Sequence, residues 1–172
     1  MTEPRVVGID PSLTATGVAH WSGKLHTYTP WKGLTGVPRI RDIRAQLYTC
    51  TQSADLVVIE GPAYSRQLGA GHHEAAGLWW AIVDLVHTRG TPYAVVPPTT
   101  LKRYATGKGN ATKPDMRVAW LKRTGEDVRD DNAVDAAFLR AMGMDHLGCP
   151  VVEVPKTHRA ALDAVAWPEV TA

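Results

Sequence analysis

The segment Arg5-Val-Val-Gly-Ile-Asp-Pro-Ser12 decides the fold, because a short apolar run ends there in an acid and a turn. An apolar run of this length, closed by proline, is typical of a buried strand. A second run of the same kind, Asp55-Leu-Val-Val-Ile-Glu60, is closed by Gly61-Pro62, and a third is Tyr93-Ala-Val-Val96. The three runs predict three buried strands, and the first two of them end in a carboxylate.

The segments between and after these runs predict a hairpin and a series of helices. Residues 16–21 and 25–28 flank Ser22-Gly23-Lys24 and form the predicted antiparallel hairpin. Apolar residues at spacings of three and four predict an amphipathic helix that begins near Pro38. Further helices are predicted over residues 74–87, 100–104, 113–123 and 131–142. This order of elements predicts an α/β fold with at least two parallel crossovers.

The C-terminal tail is predicted to add two short elements. Val151–Val154 is an expected strand, and a helix is expected from Thr157, as its N-cap, to about Val165. The length of 172 residues predicts one domain over residues 1–172, with residues from about 145 to 172 as a C-terminal appendage.

Composition excludes several classes of protein. With 44% hydrophobic and 21% charged residues, the chain is neither disordered nor fibrous. It has no apolar run near the roughly 20 residues that a membrane span needs, and Met1–Arg5 does not begin a secretory signal. We therefore expect a cytoplasmic protein without a membrane partner (the host cytoplasm if a phage encodes it), with Cys50 and Cys149 as reduced, buried thiols.

A formal net charge of +2 conceals a basic region between Lys102 and Arg129. This region holds eight basic residues against three acids, a local charge of +5. Such a region is suited to binding phosphate, but it is equally typical of a solvated helix face. The glycines and lysines between Pro98 and Lys113 do not have the spacing of a Walker A loop. Nucleoside triphosphate binding is therefore not predicted.

Two carboxylates are placed where α/β proteins bind their ligands. If the strands that end in Asp10 and Glu60 are parallel neighbours about 4.8 Å apart, their carboxylates lie side by side at the carboxyl edge of the sheet. Asp10 alone is also typical of a turn residue that hydrogen-bonds its own backbone. An ionised pair at this edge repels, and a divalent cation relieves that repulsion.

A third group of polar side chains follows in the sequence Asp131-Asn-Ala-Val-Asp135. On a helix, Asp131 and Asn132 lie four and three residues before Asp135 and share a face with it. The helix dipole explains an acid at Asp131, but Asp135 lies one turn further in, beside an apolar run. Oxygen ligands from separate elements suit Mg²⁺ or Mn²⁺ better than zinc. The pair His72-His73 lacks partners at ligand spacing.

Taken together, these motifs resemble the RuvC family of Holliday junction resolvases, in its bacteriophage-type form, over residues 5 to about 143. The shared order is G-I-D-P-S from Gly8, V-V-I-E to Glu60, P-x-x-x-K to Lys102 and D-N-x-x-D-A-A from Asp131. The resemblance implies a ribonuclease H-like mixed sheet, an antiparallel hairpin plus parallel strands, flanked by helices. It also implies a homodimer that makes paired nicks in four-way or otherwise branched DNA with Mg²⁺ or Mn²⁺, as a two-metal site.

The resemblance assigns the family's functional positions to residues of this chain. The family's acids correspond to Asp10, Glu60 and Asp135, and its lysines correspond to Lys102 and Lys113. Where bacterial members have a carboxylate or histidine three residues before the last aspartate, this chain has Asn132. We expect Asp131 to supply the missing charge, with Asn132 as the alternative. The expected catalytic residues are Asp10, Glu60, Asp131, Asp135, Lys102 and Lys113, and the expected metal ligands are Asp10, Glu60, Asp131, Asn132 and Asp135.

Contacts with DNA and with a second subunit are also expected. Bacterial members have an aromatic residue three positions after the strand glutamate, and this chain has Ala63 there, followed by Tyr64. We expect Tyr64 and Arg66 to contact the branch point, and Trp79-Trp80 to form the dimer surface. The DNA-binding residues predicted from the sequence are Tyr64, Arg66, Lys102, Arg103, Lys108 and Lys113.

Three alternative functions are consistent with parts of this pattern. A junction-binding protein without catalysis is suggested by the neutral Asn132. A phosphotransferase of the actin-like and sugar-kinase superfamily has a first phosphate loop that resembles G-I-D-x-S-x-T from Gly8, but it needs two such domains. A single-domain nuclease that processes RNA would differ in substrate only.

Overall fold

Five strands form one mixed sheet in this computed structural model, which describes residues 3–62 and 71–170. The strands are β1 (Val6–Asp10), β2 (Thr16–Ala19), β3 (Leu25–Tyr28), β4 (Leu56–Glu60) and β5 (Tyr93–Val96). Their order across the sheet is β3-β2-β1-β4-β5. The hairpin strands pair antiparallel, whereas β1, β4 and β5 are parallel. The predicted ribonuclease H-like mixed sheet and its two parallel crossovers are confirmed.

Six α-helices and a 3-10 helix surround the sheet in the described ranges. They are α1 (Gly36–Cys50), α2 (His72–Thr88), α3 (Pro98–Thr106), α4 (Lys113–Thr124), α5 (Asp131–His146), α6 (Lys156–Arg159) and the 3-10 helix Ala160–Ala164. Local chemistry sets several of their ends. Helix α4 begins at a capping box between Thr112 and Asp115 and ends at Gly125, whose φ is 77°. Every helix predicted before the tail is present, and α5 runs four residues further than predicted.

The sheet separates two apolar cores. Side chains alternate between the two faces of a strand, so Val7 and Ile9 of β1 pack with α1 and α2. Val6 of β1 belongs to the opposite core, with residues of α3, α4 and α5. The same alternation places Asp10 on the α5 face, two residues after Gly8. Glu60 is on this face too. It lies two residues after Val58 and four after Leu56 in β4, and both of these residues belong to the core on the α5 side.

Helix α5 lies directly against the sheet because glycines face it. A β-carbon on Gly8 would collide with the carbonyl oxygen of Ala136 and lie 2.6 Å from the amide nitrogen of Arg140. A β-carbon on Gly17 of β2 would collide with the backbone of Asn132. On the helix side, a β-carbon on Gly143 would lie 2.7 Å from Val6. These glycines let the helix cross β1 and β2 closely, which sets the height of its polar residues above the sheet.

The C-terminal tail differs from its prediction. Residues Val151–Val154 do not form a strand, and α6 has Pro155 rather than Thr157 as its N-cap. Pro150 and Pro155 flank the four residues, and proline cannot donate to a strand ladder. The tail instead packs on the α5 face, where Val152 and Leu162 are buried in the core.

A buried carboxylate also ties the tail to α5. Asp145 of α5 is buried, and its Oδ1 lies 2.8 Å from Nε of Arg159. The hydroxyl of Tyr104 donates to Oδ2 of the same aspartate at 3.1 Å. Asp145 therefore joins α3, α5 and the tail in one place.

The two cysteines differ in exposure. Both are free thiols, and Cys50 is buried as predicted. The prediction that Cys149 is buried is wrong, because this residue follows Gly148 in the exposed turn after α5. Among the described residues, no helix has both the length and the apolar character to cross a membrane.

Candidate active site

The carboxyl groups of Asp10 and Glu60 lie side by side, as the strand pattern predicted. The parallel register of β1 and β4 pairs Ile9 with Ile59, so the next residue of each strand is one of the two acids. Asp10 is only 7% exposed. Burial, followed by the charge of Glu60, raises the pKa of Asp10 well above its ordinary value. Burial also raises the pKa of Glu60, while a hydrogen bond shared with Asp10 opposes that rise.

The backbone at both acids is held in place by nearby side chains. After Asp10, the hydroxyl of Thr16 donates to the carbonyl oxygen of Ser12 at 2.7 Å and accepts from its amide at 3.2 Å. After β4, Nε1 of Trp79 donates to the carbonyl oxygen of Glu60 at 3.0 Å. Both strand ends are therefore fixed independently of any ligand.

Trp79 has a role that sequence reasoning missed. It is half-buried and anchors the end of β4, although it was expected only at a dimer surface. Its neighbour Trp80 is 64% exposed and meets it edge to face, with ring centroids 5.0 Å apart. No local sequence signal identifies this contact, because the donor and the acceptor are 19 positions apart.

Asp135 of α5 is the third acid of the cluster. Burial and, next, the charge of Asp10 raise its pKa to about 7. Lys113 and Lys102 oppose this rise, and Asp131 adds to it. Asp135 is thus close enough to the strand acids to interact with them electrostatically, which agrees with its predicted place. The crowding of three acids at this point favours a bound cation or a bound proton.

Both predicted lysines lie beside the acids. Lys102 is half-buried on α3, which follows β5, and Lys113 is the exposed first residue of α4. The positive charges of these two side chains lower the pKa of both Glu60 and Asp135. The structure therefore brings together three acids and two lysines from five separate elements, β1, β4, α3, α4 and α5.

Asp131 contacts basic side chains at the start of α5. Its Oδ1 lies 3.2 Å from Nε of Arg117, without the geometry of a hydrogen bond, and its Oδ2 lies 3.7 Å from Nζ of Lys113. The helix start is capped by another residue, since Asp130 accepts from the amides of Asn132 and Ala133. Asp131 is therefore not needed to cap the helix, and capping does not explain an acid at this position.

The remaining residues predicted to bind DNA have separate positions. Arg103 is exposed on α3, and Lys108 is exposed in the connection between α3 and α4. The chain turns at Gly107, whose φ is 82°, and the amide of Lys108 then donates to the hydroxyl of Thr106. Tyr64 and Arg66 lie outside the described residues.

The donor set of the cluster fits Mg²⁺ or Mn²⁺. In residues 3–62 and 71–170, no three His, Cys, Asp or Glu side chains are already grouped at the distances of a metal site. The chemistry of the donors is nevertheless that of a hard divalent cation, since all of them offer oxygen. Burial and mutual repulsion raise the pKa of Asp10, Glu60 and Asp135, and a cation among them would relieve that repulsion.

Comparison with known proteins identifies the fold. No family model matches this chain, and no curated protein matches it. Among solved structures, a Thermus thermophilus RuvC structure matches with a TM-score of 0.65 and 19% identity, covering 86% of this chain and 99% of that one. T. thermophilus RuvC in complex with Holliday junction substrate matches with a TM-score of 0.66 and 19% identity, covering 86% of this chain and 98% of that one. The chain has a RuvC-like fold.

The RuvC-like fold agrees with the resemblance found in the motifs. The acids of this chain lie at the carboxyl edge of the sheet, which is where α/β sheets bind their ligands. At 19% identity the likeness establishes the fold, and activity has to be argued from the site itself.

Proposed function

We propose that this protein is a divalent-metal-dependent endonuclease that resolves four-way DNA junctions by paired nicks. The observation that carries the proposal is the cluster of the buried Asp10 and the half-buried Glu60 and Asp135, with Lys102 and Lys113 beside it. A cluster of largely buried acids next to basic side chains is suited to a metal that meets a phosphate. The solved RuvC complex with Holliday junction substrate supports branched DNA as the substrate class.

In the proposed mechanism, the acids hold the cation and the lysines hold the phosphate. Asp10, Glu60 and Asp135 would bind Mg²⁺ or Mn²⁺ as a two-metal site, with Asp131 or Asn132 as a further ligand. When bound, the metal supplies activation of water and stabilisation of the attacking and leaving oxygens. Lys102 and Lys113 neutralise charge that builds up on the scissile phosphate in the transition state.

The surroundings of the cluster keep this arrangement rigid. The Thr16–Ser12 contacts fix the turn after Asp10, and Trp79 fixes the end of β4. Preorganised groups contribute more to transition-state stabilisation than groups that must first be ordered. Arg103 and Lys108 would extend the contact along the DNA backbone, as their exposure allows.

A homodimer is part of the proposal. A two-fold dimer with one active site in each protomer matches the two-fold symmetry of a four-way junction and explains paired nicks. The exposed Trp80 on α2 is the side chain that we propose for the dimer surface, whereas Trp79 is engaged with Glu60 within the chain.

The test is cleavage of labelled four-way, Y-shaped and linear DNA in parallel, with Mg²⁺ or Mn²⁺ added. We expect symmetric nicks in the four-way junction and little cleavage of the linear duplex. Binding of junctions without cleavage in either metal would favour the binding protein that the neutral Asn132 suggests. Equal cleavage of all three substrates would contradict selectivity for junctions.

A further inference from the structure

An exposed tryptophan lies at the same end of the sheet as the acids. Trp31 is 77% exposed, the highest value among the large hydrophobic side chains that are exposed in the described ranges. It follows β3, and the register of the hairpin pairs Tyr28, the last residue of β3, with Thr16. Gly17, the next residue of β2, pairs with Asp10. Strand β3 therefore ends at the same end of the sheet as β1, where Asp10 lies.

The strand order places the acids between the edge strands β3 and β5. Strand β3, which precedes Trp31 by three residues, is two strands from β1, about 10 Å between strand axes at the usual spacing. The basic helix α3 follows β5, the opposite edge strand of the sheet. In strand order the acids on β1 and β4 thus lie between the segment that follows β3, which carries Trp31, and helix α3, which carries Lys102.

The turn that carries Trp31 is held by contacts to α1. The Trp31 amide donates to Oδ2 of Asp42 at 3.2 Å, and its carbonyl oxygen accepts from the Leu34 amide at 3.2 Å. The Arg39 guanidinium donates to the carbonyl oxygen of Leu34 at 2.8 Å. Gly33, with φ of 89°, allows the reversal. The backbone is therefore fixed while the indole remains in water.

An exposed indole on a fixed backbone, with a lysine as the next residue, is suited to stacking on a nucleic-acid base. Lys32, the next residue, is exposed and offers a charge for the adjacent phosphate. Proteins bind unpaired strands by combining such aromatic platforms with positive charge. In linear duplex DNA the faces of the bases are covered by their neighbours, whereas a branch point leaves some of them open.

We propose that Trp31 stacks on an unstacked base at the branch point of the DNA, and that Lys32 contacts the adjacent phosphate. This inference rests on the proposed function and adds a residue that selects branched over linear DNA. The indole does not take part in the chemical step, and the segment that carries it follows the edge strand β3, whereas the basic helix α3 follows the other edge strand, β5.

The inference is tested by comparing binding of a four-way junction and of a linear duplex of the same sequence. The full chain carries Asp10→Asn in all samples, and divalent metal is absent, so that no cleavage intervenes. Trp31→Ala should weaken junction binding about five- to a hundred-fold, the range expected for the loss of one stacked base. It should leave duplex binding within about two-fold. Trp31→Phe should retain most of the affinity for the junction.

A matched control uses the other end of the same hairpin. Trp21 is 38% exposed and follows the far end of β2, so Trp21→Ala should not change junction binding. A 2-aminopurine placed at the branch point gives a spectroscopic signal of stacking. Its fluorescence should change when the Asp10→Asn protein binds, and this change should be absent when the protein also carries Trp31→Ala.

The possible results separate this inference from the proposed function. If the protein with Trp31 binds junction and duplex equally, the proposed selectivity fails and this inference fails with it. If it selects the junction and Trp31→Ala selects it equally well, only this inference is overturned. If Trp31→Ala weakens binding of the junction and of the linear duplex equally, Trp31 does not contact an unstacked base, and the inference is overturned. A change in the sedimentation coefficient of the DNA-free variant would identify Trp31 as a contact between protein copies, which also overturns the inference.

Discussion

Gly8 of β1 lies so close to Ala136 of α5 that a β-carbon on the glycine would collide with the alanine's carbonyl oxygen. The contact is one residue after Asp135 on the helix and two residues before Asp10 on the strand. The close packing of Gly8 on α5 therefore sets the separation between the carboxylates of Asp10 and Asp135. Side-chain volume at position 8 controls the geometry of the acid cluster, although the residue itself has no functional group.

Substitution of Gly8 should therefore damage both stability and activity. Gly8→Ala would force α5 away from the sheet, and we expect a loss of at least about 2 kcal/mol in the free energy of unfolding. Gly77→Ala in α2 is the matched control, because its β-carbon would meet only the flexible end of Ile40, at 3.3 Å. That variant should change stability by no more than about 1 kcal/mol, since alanine favours a helix. Denaturant unfolding of both variants measures the difference. Similar values for both would contradict close packing at Gly8.

Removing the charge of either strand acid should abolish cleavage. Asp10→Asn and Glu60→Gln keep the size of the side chain and remove a negative charge from the proposed metal site. Loss of a metal should cost several kcal/mol of transition-state stabilisation. Binding of the junction should be unchanged or tighter, because fewer negative charges then face the phosphates. Cleavage and gel-shift assays measure the two effects. A cleavage rate above about a tenth of that of the unsubstituted protein in either variant would show that the metal site is assigned wrongly.

In the metal-free protein, Asp135 should make a contribution to stability that is lost as pH rises, because the folded site raises the pKa of its carboxyl group. Burial raises the pKa of Asp135 from 3.8 to about 7. Below about pH 4, Asp135 is protonated in both the folded and the unfolded chain, so it carries no penalty. Between pH 4 and pH 7 the unfolded chain releases a proton that folded Asp135 retains, so the contribution of Asp135 to the free energy of unfolding falls.

Asp135→Asn isolates this effect from the other carboxylates. Relative to the unsubstituted protein, the variant should gain about 2–4 kcal/mol between pH 4 and pH 8 in the absence of divalent metal. Adding Mg²⁺ at pH 8 should raise the Tm of the unsubstituted protein more than that of the variant, since a ligand stabilises the state that binds it. A pH-independent difference between the two proteins would contradict the raised pKa of Asp135.

The basic region should bind the DNA backbone rather than the bases. Raising salt from about 50 to 200 mM should weaken junction binding by orders of magnitude if six or more phosphates are neutralised. Lys108→Ala or Arg103→Ala should reduce the slope of log affinity against log salt by about one contact. Lys24→Ala, in the hairpin turn at the far end of the sheet, should leave the slope unchanged. If Lys108→Ala and Arg103→Ala also leave it unchanged, this region is a solvated face.

Much of the fold and of the acid cluster was predictable because both depend on short-range patterns. The apolar runs that end in Asp10 and Glu60 identify their strands, and the two-residue period of a strand places both acids on one face. A helical spacing puts Asp135 on a face with Asp131. These features need no knowledge of distant contacts.

The features that were missed depend on tertiary packing. The bond from Trp79 to the Glu60 carbonyl joins residues on separate elements, and its donor carries no pattern of its own. Val151–Val154 has the composition of a strand, but the flanking prolines and the ion pair of the buried Asp145 with Arg159 direct it to a different path. The position of Trp31 at the same end of the sheet as the acids follows from the register of β2 and β3, which the sequence of the turn does not specify.

The last prediction concerns the further metal ligand, for which Asp131 and Asn132 are candidates. On an ideal helix Asp131 lies about 40° from Asp135 around the axis, and Asn132 lies about 60° away on the other side. Asp130 caps the helix, so capping does not explain the acid at position 131. The carboxylate of Asp131 lies between Arg117 and Lys113, and it also contributes to the raised pKa of Asp135.

Asp131→Asn should harm catalysis more than Asn132→Ala, because divalent ions call for an anionic ligand that an amide cannot replace. Cleavage titrated with Mg²⁺ distinguishes two ways in which Asp131 could act. If it binds metal, Asp131→Asn raises the Mg²⁺ concentration needed for half-maximal cleavage. If it only positions Lys113, the maximal rate falls at an unchanged Mg²⁺ requirement, and Lys113→Ala has the same effect. Arg117→Ala is the matched control, since it removes the other ion pair of Asp131 and leaves both the carboxylate and Lys113 in place. A raised Mg²⁺ requirement in Asn132→Ala alone would refute the prediction and assign the ligand to the amide.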